Sequence, residues 1–298
     1  MRASTIGYIA AFLATALWAG NFIAARALAE QIPPCQFNFW RWVIGLVGIL
    51  PFALRSCMQD WDVLRRHWRY LSLMAFIGVT LMNTFIYKAG QTTESLNMAL
   101  LMPAAPVVVL VLSRLVCGER ISFRRFLGML SALAGVGILL SRGNLQRLVD
   151  LQLNSGDLWT LLCMLSFAVY SLFMRQRPRD ISPLAFNAAV FALGIVYALP
   201  CVALEAWFLP MPTLTFKLIS GLMYVGLGCS AAAFWLWTVG IDRIGPVRAS
   251  FIYYSLPVFA GIGSVLILDE TVHLAQVVGG ALVVGGICLA TFHKEQFA

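Results

Sequence analysis

The chain has 298 residues, of which 60% are hydrophobic and 11% charged, and its formal net charge is +8. Soluble domains usually contain about 45–50% apolar and about 25% charged residues, so this composition excludes an ordinary soluble protein. The positive charge is divided among short segments between apolar runs, which favours membrane topology over nucleic-acid binding. A lipid bilayer is therefore the expected solvent.

Ten apolar runs, most of them about 18 residues or longer, alternate with short polar breaks. Hydrocarbon offers no partner to a free backbone N–H or C=O group, and the runs are too long for barrel strands, so each is predicted to be a helix. The chain is therefore expected to be an all-α integral membrane protein with ten transmembrane helices. In chain order the runs cover Thr5–Leu28, Phe37–Leu54, Tyr70–Tyr87, Leu96–Val116, Phe126–Leu140, Leu158–Met174, Leu184–Trp207, Leu218–Val239, Val247–Leu268 and Ala275–Phe292.

The distribution of basic residues predicts the orientation. Most of the 21 Lys and Arg residues lie in breaks that would share a side with the N-terminus, and positively charged loops stay in the cytoplasm. Both termini are therefore expected to be cytoplasmic. The first run is longer than the apolar core of a cleaved signal peptide, which favours a retained helix.

The second half of the sequence repeats features of the first half. Two five-helix units are predicted, at residues 1–147 and 148–298. Because five is an odd number, the second unit enters the membrane from the opposite side, which makes the repeats inverted. A shift of 151 residues pairs Pro106 with Pro257, Glu119 with Glu270, Gly128 with Gly279 and Gly135 with Gly286, and a shift of 149 pairs Asn38 with Asn187, Pro51 with Pro200 and Arg26 with Arg175.

Three segments carry a resemblance to a known family: "ALWAGNFIAARAL" in the first run, "LLMPAAPVVVLVLSRLVCGERISFRRFLGMLSALAGVGILL", and "IYYSLPVFAGIGSVLILDETVHLAQVVGGALVVGGICLA". The chain resembles the EamA family of the drug/metabolite transporter superfamily and, within it, is similar to the YddG-type exporters of aromatic and other neutral amino acids. The resemblance implies a multi-pass carrier of the bacterial inner (plasma) membrane that exports small metabolites.

Two prolines mark candidate breaks in the helices of the predicted binding region. Pro106 and Pro257 lie within the fourth and ninth runs, where proline would free the carbonyls of Met102 and Tyr253. Matching interruptions in inverted halves indicate a central substrate site. The alternative is that both prolines only shape the packing of the helices.

Polar and aromatic residues recur at helical spacing within the runs, which places each group on one face. Such faces are expected to line a wet, substrate-binding cavity. The alternatives are interhelical hydrogen bonding and aromatic residues at the membrane interface. The groups are Trp18 with Asn21; Thr80, Asn83 and Tyr87; Ser166 with Tyr170; Ser230, Phe234 and Trp237; and Ser250 with Tyr254.

Arg41, in "FNFWRWVIG", is the ionisable residue nearest to a membrane-embedded position. A buried arginine is a candidate for binding a substrate carboxylate. The alternatives are a side chain that reaches the interface between Trp40 and Trp42, or a purely structural arginine. The repeated glycines are interpreted as sites of close helix packing, and Glu119 and Glu270 as helix caps or loop anchors.

No Asp or Glu lies near the centre of any run, and the three His residues lie in breaks or at run ends. A proton-coupled carrier usually needs a buried acid or histidine, so facilitated diffusion of neutral or zwitterionic solutes, amino acids foremost, is expected. The seven cysteines lack metal-binding spacing and are interpreted as packing residues, and no cofactor or metal is expected.

Other functional classes fit the sequence less well. An integral-membrane enzyme would need a catalytic cluster or a phosphate-binding loop, and the sequence contains neither pattern. A sensor or scaffold, a flippase, a channel, or a carrier of other drugs and metabolites remain alternatives. The expected partners are a small-molecule substrate and membrane lipid, with no nucleic acid, and a monomer is expected.

Overall fold

The structure is a computed structural model that describes residues 3–105, 107–108, 111, 123–144, 154–174, 176–210, 212–244, 249 and 252–291. These residues fold into helices and contain no strand. The helices, numbered in chain order, are α1 Ala3–Ala27, α2 Pro34–Gln59, α3 Trp61–Arg66, α4 Trp68–Ala89, α5 Ser95–Ala104, α6 Phe123–Ser141, α7 Ser155–Met174, α8 Pro183–Phe208, α9 Phe216–Ile244, α10 Leu256–Leu268 and α11 Leu274–Thr291.

Six of the described helices, α1, α2, α4, α7, α8 and α9, are long and apolar enough to cross a membrane. The other four apolar runs of the sequence coincide with shorter apolar helices, α5, α6, α10 and α11. The all-helical, multi-pass prediction is confirmed on this evidence. The count of ten spans and the orientation of the termini stay predictions.

Many large apolar side chains point away from the protein. Val47 is 65% exposed, Val258 61% and Leu266 76%, and each lies within a helix rather than in a loop. Apolar surface of this kind would be unfavourable in water and is favourable against lipid chains. The outward faces of the helices are therefore suited to a bilayer.

Helices α6 and α11 pack closely against each other through glycine. A Cβ atom on Gly135 would lie 2.5 Å from the carbonyl oxygen of Gly279, and one on Gly286 would lie 2.5 Å from that of Gly128. The hydroxyl of Ser131 also donates to the carbonyl of Leu282, at 3.0 Å. The glycine pairs therefore permit direct backbone contact between the two helices, as the sequence predicted.

Carboxylates at helix ends cap neighbouring helices. Glu205, near the end of α8, accepts from the backbone N–H groups of Cys35 (2.9 Å) and Gln36 (3.0 Å) at the start of α2. In return, Asp60 at the end of α2 accepts from the N–H of Ser182 before α8, at 2.9 Å. Each helix of this antiparallel pair thus satisfies the free N–H groups at the start of the other.

A further group of polar contacts holds the start of α5, and we call it the α5 clamp: Thr93, Ser95, Asn97, Asp157 and Glu270. Glu270, after α10, accepts from the backbone N–H of Ser95 at 3.1 Å and from its hydroxyl at 2.8 Å. The interpretation of Glu270 as a cap and anchor is therefore confirmed. Glu119, which a shift of 151 residues pairs with Glu270 in the sequence, lies outside the described residues.

Three helices depart from regular α geometry near the middle of the molecule. Helix α4 contains a π-helical segment at Phe76–Leu81, α9 contains one at Tyr224–Ala232, and α5 ends in a 3₁₀ turn at Met102–Ala104. A π segment shifts the hydrogen-bond pattern and leaves carbonyl groups available to side chains. The two π segments therefore provide acceptors in the interior that a regular helix would lack.

The structure around the predicted proline kinks differs in detail from the expectation. Helix α10 begins at Leu256, so Pro257 lies in its first turn, and the preceding Tyr254 and Ser255 form a turn rather than helix. A first-turn proline disturbs no helical hydrogen bond, because its position has no intrahelical partner. Pro106 lies outside the described residues, but the Met102 carbonyl accepts from the N–H of Ala105.

Candidate functional site

Arg41 lies at the centre of a buried polar cluster formed by four helices. Its side chain is only 4% exposed. Its Nε donates to Ser230 Oγ at 2.9 Å, and its Nη1 donates to Asn21 Oδ1 (2.9 Å), Asn83 Oδ1 (2.7 Å) and Tyr87 OH (2.9 Å). We call these five residues, from α1, α2, α4 and α9, the Arg41 cluster. The Arg41 side chain is therefore directed into the protein and not towards its surface.

The acceptors around the guanidinium are all neutral. Among the described residues, no acidic side chain forms an ion pair with Arg41. Hydrogen bonds to neutral oxygens satisfy donors of the guanidinium but do not cancel its charge. The cluster is consequently a buried site with a net positive charge, and an anionic group is the ligand that such a site attracts most strongly.

The π segments orient two residues of the Arg41 cluster. The amide Nδ2 of Asn83 donates to the Gly78 carbonyl at 2.9 Å, and the hydroxyl of Ser230 donates to the Val225 carbonyl at 3.1 Å. Both acceptors lie five residues earlier, inside the π segments of α4 and α9. Because their donors are used in this way, the oxygens of Asn83 and Ser230 point towards Arg41 as acceptors.

Asn38, one turn before Arg41 on α2, supports the same region and was not among the predicted site residues. Its Nδ2 donates to the carbonyls of Val79 (3.0 Å) and Thr80 (3.1 Å) and to Thr84 Oγ1 (3.0 Å). The side chain is completely buried. Asn38 thus ties α2 to the π segment that positions Asn83, a role that its sequence signal, a match to Asn187 in the repeat, could not reveal.

An aromatic cluster adjoins the Arg41 cluster, and we define it as Trp18, Phe234, Trp237 and Tyr253. The ring centroid of Trp18 lies 5.5 Å from that of Phe234, 5.2 Å from Trp237 and 6.0 Å from Tyr253. The indole N–H of Trp18 donates to the Cys229 carbonyl at 3.0 Å, beside Ser230. This hydrogen bond brings the aromatic cluster to the segment of α9 that carries Ser230 of the Arg41 cluster.

The remaining predicted residues contact neighbouring helices or their own helix. The hydroxyl of Thr80 donates to the Gly194 carbonyl of α8 at 3.1 Å, and that of Ser166 donates to the Leu162 carbonyl at 2.8 Å. The ring of Tyr170 packs on Gly78, where a Cβ atom would lie 2.5 Å from the ring. These contacts favour the packing alternative for the three residues.

Met102 and Tyr254 pack in or against the hydrophobic core around α5 and α10, and Met102 is 7% exposed. Ser250, which was grouped with Tyr254, lies outside the described residues. The structure therefore brings together Trp18, Asn21, Arg41, Asn83, Tyr87, Ser230, Trp237 and Tyr253, and it places Thr80, Ser166 and Tyr170 in helix contacts.

A cavity of about 910 Å³ lies between α2, α8 and α9. Its walls are mainly apolar, with Gly48, Phe52, Leu227 and Phe234 among them. Gly48 and Phe52 lie about two and three turns after Arg41 on α2. Phe234 also belongs to the aromatic cluster, so the cavity and that cluster share one ring.

The sequence pattern of the EamA-like transporter family matches residues 5–141 and 154–292. A protein of Archaeoglobus fulgidus named an uncharacterized transporter is 25% identical over 94% of this chain and 95% of its own. The uncharacterized transporter YetK of Bacillus subtilis is 25% identical over 97% of this chain and 88% of its own. A solved crystal structure shares the fold, with a TM-score of 0.63, 21% identity and 98% coverage of both chains.

Proposed function

The chain belongs to the EamA-like transporter family, and from that premise we propose that it exports small neutral or zwitterionic metabolites by alternating access. Amino acids with aromatic or other apolar side chains are the proposed substrates, and the bacterial inner membrane is the proposed location. The observation that carries the proposal is the buried Arg41 guanidinium, which has only neutral hydrogen-bond partners beside an aromatic cluster.

A carboxylate is the ligand that supplies the missing negative charge. Arginine can donate two parallel hydrogen bonds to a carboxylate, and such charged pairs are roughly twice as strong as neutral hydrogen bonds. The neutral oxygens of Asn21, Asn83 and Ser230 hold the guanidinium in place until the carboxylate arrives. A substrate without a carboxylate would leave the buried charge without a counter-ion and should bind weakly.

The aromatic cluster supplies the second half of a binding site for an amino acid. Rings of Trp18, Trp237 and Tyr253 offer apolar contact to a substrate side chain, and their faces attract an ammonium group. No Asp or Glu has to pair with the ammonium group under this arrangement. An amino acid, which carries carboxylate, ammonium and an apolar side chain, matches all three surfaces.

Helix pairing supports movement of two halves around this site. In each of the pairs α2/α8, α6/α11, α1/α9 and α4/α7, one helix comes from each half of the chain. Arg41 itself bonds to Ser230 from the second half and to Asn21, Asn83 and Tyr87 from the first. Rocking of one half against the other would therefore expose the Arg41 cluster to alternate faces.

The test is counterflow in proteoliposomes loaded with unlabelled phenylalanine or methionine, with labelled amino acid outside and no pH gradient. We expect uptake that excess phenylalanine suppresses. Phenethylamine, which lacks the carboxylate, should compete at least about tenfold less well, since a hydrogen bond to a charged group contributes about 1.5–3 kcal/mol. Equal competition by the amine would remove the proposed role of Arg41. No counterflow across a broad amino-acid panel would refute the proposed substrate class.

A further inference from the structure

Asp157, in the first turn of α7, is an acidic residue buried in the protein and only 1% exposed. Its Oδ1 accepts from Thr93 Oγ1 at 2.5 Å and from Asn97 Nδ2 at 3.3 Å. Its Oδ2 is buried and has no hydrogen-bond partner among the described residues. The predicted sixth apolar run begins at Leu158, so the sequence pattern leaves this carboxyl just outside the run.

The contacts of Asp157 close one face of the molecule. Asp157 binds the start of α5 from α7, and Glu270 binds it from the α10–α11 connection. Glu94, just before α5, accepts from Gln276 Nε2 of α11 at 2.8 Å. The α5 clamp and the Glu94–Gln276 contact therefore join the start of α5, from the first half of the chain, to α7, α11 and the α10–α11 connection of the second half. Alternating access requires these contacts to separate whenever this face opens.

The charged groups around Asp157 give it no close counter-ion. The charged groups that act on it are Arg142, after α6, and Glu94, before α5, and their effects are opposite in sign. His273 and Glu270 lie at the same face, where the backbone N–H of His273 donates to Gln276 Oε1 at 2.9 Å. On α4, the Lys88 ammonium donates to Gln91 Oε1 at 2.7 Å. Within the described part of the chain, no basic side chain forms an ion pair with Asp157.

A buried carboxylate oxygen that accepts no hydrogen bond raises the free energy of the protein, because its charge is not stabilised. Protonation of the carboxylate removes that charge. In the closed clamp, the neutral carboxyl group can keep its short hydrogen bond with Thr93 while Oδ2 carries no full charge. When the face opens, water reaches Oδ2 and stabilises the ionised form. By linkage, a proton that binds the closed state more tightly than the open state shifts the equilibrium towards closure.

We propose that Asp157 is the proton-binding residue of a latch that holds this face closed at acidic pH and lets it open as pH rises. The proton comes from water at this face and returns to it, so the latch regulates opening and carries no proton across the membrane. The inference rests on the proposed function in one respect: the clamp face opens during transport.

The test is the counterflow rate of the full chain at equal internal and external pH, measured across a pH series. For the wild type, we expect the rate to fall towards about tenfold per pH unit below the titration midpoint, as a single-proton latch requires. Asp157→Asn, which is neutral at every pH, should transport at a low rate that no longer depends on pH. His273→Gln, which changes another titratable group of this face, should keep the wild-type profile.

A second variant keeps the carboxyl group. Thr93→Val removes the hydroxyl bonded to Oδ1 but leaves the carboxyl of Asp157 in place, so its counterflow rate should still depend on pH, unlike that of Asp157→Asn. A flat wild-type profile, or an unchanged profile in Asp157→Asn, would overturn the latch.

An infrared measurement separates the latch from the substrate proposal. The closed wild-type protein should show the carbonyl-stretch band of a neutral carboxylic acid, which disappears as pH rises and is missing in Asp157→Asn. If amino-acid counterflow is absent but this band is present, the substrate proposal fails and the latch stands. If counterflow is present but this band is absent, the latch fails.

Discussion

The donors and acceptors around Arg41 are arranged so that each neutral side chain presents an oxygen to the guanidinium. Asn83 and Ser230 achieve this by donating to carbonyls of the two π segments. Tyr87 accepts from Arg41 and donates to Asn21 Oδ1, both at 2.9 Å. The cluster is therefore a network of neutral acceptors around a positive charge that has no acidic partner among the described residues.

The first prediction concerns the shape of the donor. We expect Arg41→Lys to lower the counterflow rate about 10- to 100-fold, because a lysine ammonium cannot reproduce the planar fork that binds a carboxylate through two hydrogen bonds. Thermal unfolding in detergent should show that the variant is folded. Wild-type transport by Arg41→Lys, with phenylalanine still preferred over phenethylamine, would contradict the proposed carboxylate contact.

The second prediction concerns Asp60, which lies between α2 and α3, outside the apolar spans. Hydrogen bonds from Ser182, through its side chain and its backbone N–H, hold the pKa of the Asp60 carboxyl below its ordinary value of 3.8. A lowered native pKa means that this contact stabilises the fold above about pH 4, the unfolded value, and that the contribution is lost as pH falls through the lower native value.

We therefore expect Asp60→Asn to unfold at a lower temperature than the wild type at pH 7, with the difference shrinking below about pH 4. Melting curves of both proteins across a pH series in an acid-stable detergent would measure this. A difference that is the same at pH 3 and pH 7 would show that the charge of Asp60 is not responsible.

Residue patterns predicted much of the candidate site but missed two important groups. Trp18, Asn21, Asn83, Tyr87 and Ser230 stood out because polar and aromatic residues are rare in apolar runs. Asn38 was missed because its partners are backbone carbonyls, which a π segment makes available and which leave no mark in the sequence. Asp157 was missed because an acid at a run end resembles an ordinary helix cap.

At the scale of helices, the glycine seam between α6 and α11 offers a matched comparison. We expect Gly135→Ala and Gly286→Ala each to lower the free energy of unfolding by about 1–3 kcal/mol, because each new Cβ would collide with a backbone carbonyl. Gly137 and Gly285, on the same two helices, have no atom within 4 Å of the position of a Cβ.

Gly137→Ala and Gly285→Ala should therefore be neutral or stabilising by up to about 1 kcal/mol, the difference in helix propensity. Thermal unfolding of the four variants in one detergent tests the order. Equal stability of all four variants would mean that the backbone contact is unimportant.

Helix positions followed from apolar runs and polar breaks, whereas local departures from the α pattern did not. The sequence placed Pro257 inside one continuous helix, but the chain forms a turn at Tyr254 and Ser255 and starts α10 immediately afterwards. Proline is compatible with both arrangements, and only the surrounding packing decides between them. The π segments contain no proline, so the sequence offers no sign that α4 and α9 depart from regular α geometry there.

At the scale of the whole molecule, the proposed alternation requires the α5 clamp to open. In a protein whose seven native cysteines have been replaced, Ser95→Cys combined with Glu270→Cys should accept a short, cleavable reagent that links two thiols. We expect the link to reduce counterflow to the background of empty liposomes and reductive cleavage to restore it. Each single variant, treated with the same reagent, is the control.

A linked protein that transports at the rate of its unlinked form would contradict opening at this face. Activity of the unlinked double variant has to be shown first, because both substitutions remove contacts that cap α5. Retained activity before linkage and loss after it would assign the effect to restricted movement.

The arrangement of two similar halves was predicted at this scale, since matching glycines and glutamates recur at a nearly constant separation. The structure brings the glycine pairs into close contact and has Glu270 capping α5, whereas the arrangement as two five-helix repeats stays a prediction. This pattern could not predict the substrate or the direction of transport, because the residues that recur in both halves are packing residues. Arg41 has no such counterpart: a shift of 149 pairs it with an apolar valine, Val190. The residues proposed to bind substrate, Arg41 above all, are therefore residues that differ between the two halves.

The buried charge of Arg41 should also make the substrate-free protein sensitive to the membrane voltage. Its guanidinium is a unit charge held in the interior with no described acid paired to it. Carrying one such charge across the whole field costs or releases about 2.3 kcal/mol per 100 mV. A conformational change that alters the position of Arg41 within the transmembrane electric field would therefore have a voltage-dependent equilibrium. It should also produce a transient current when no solute is present.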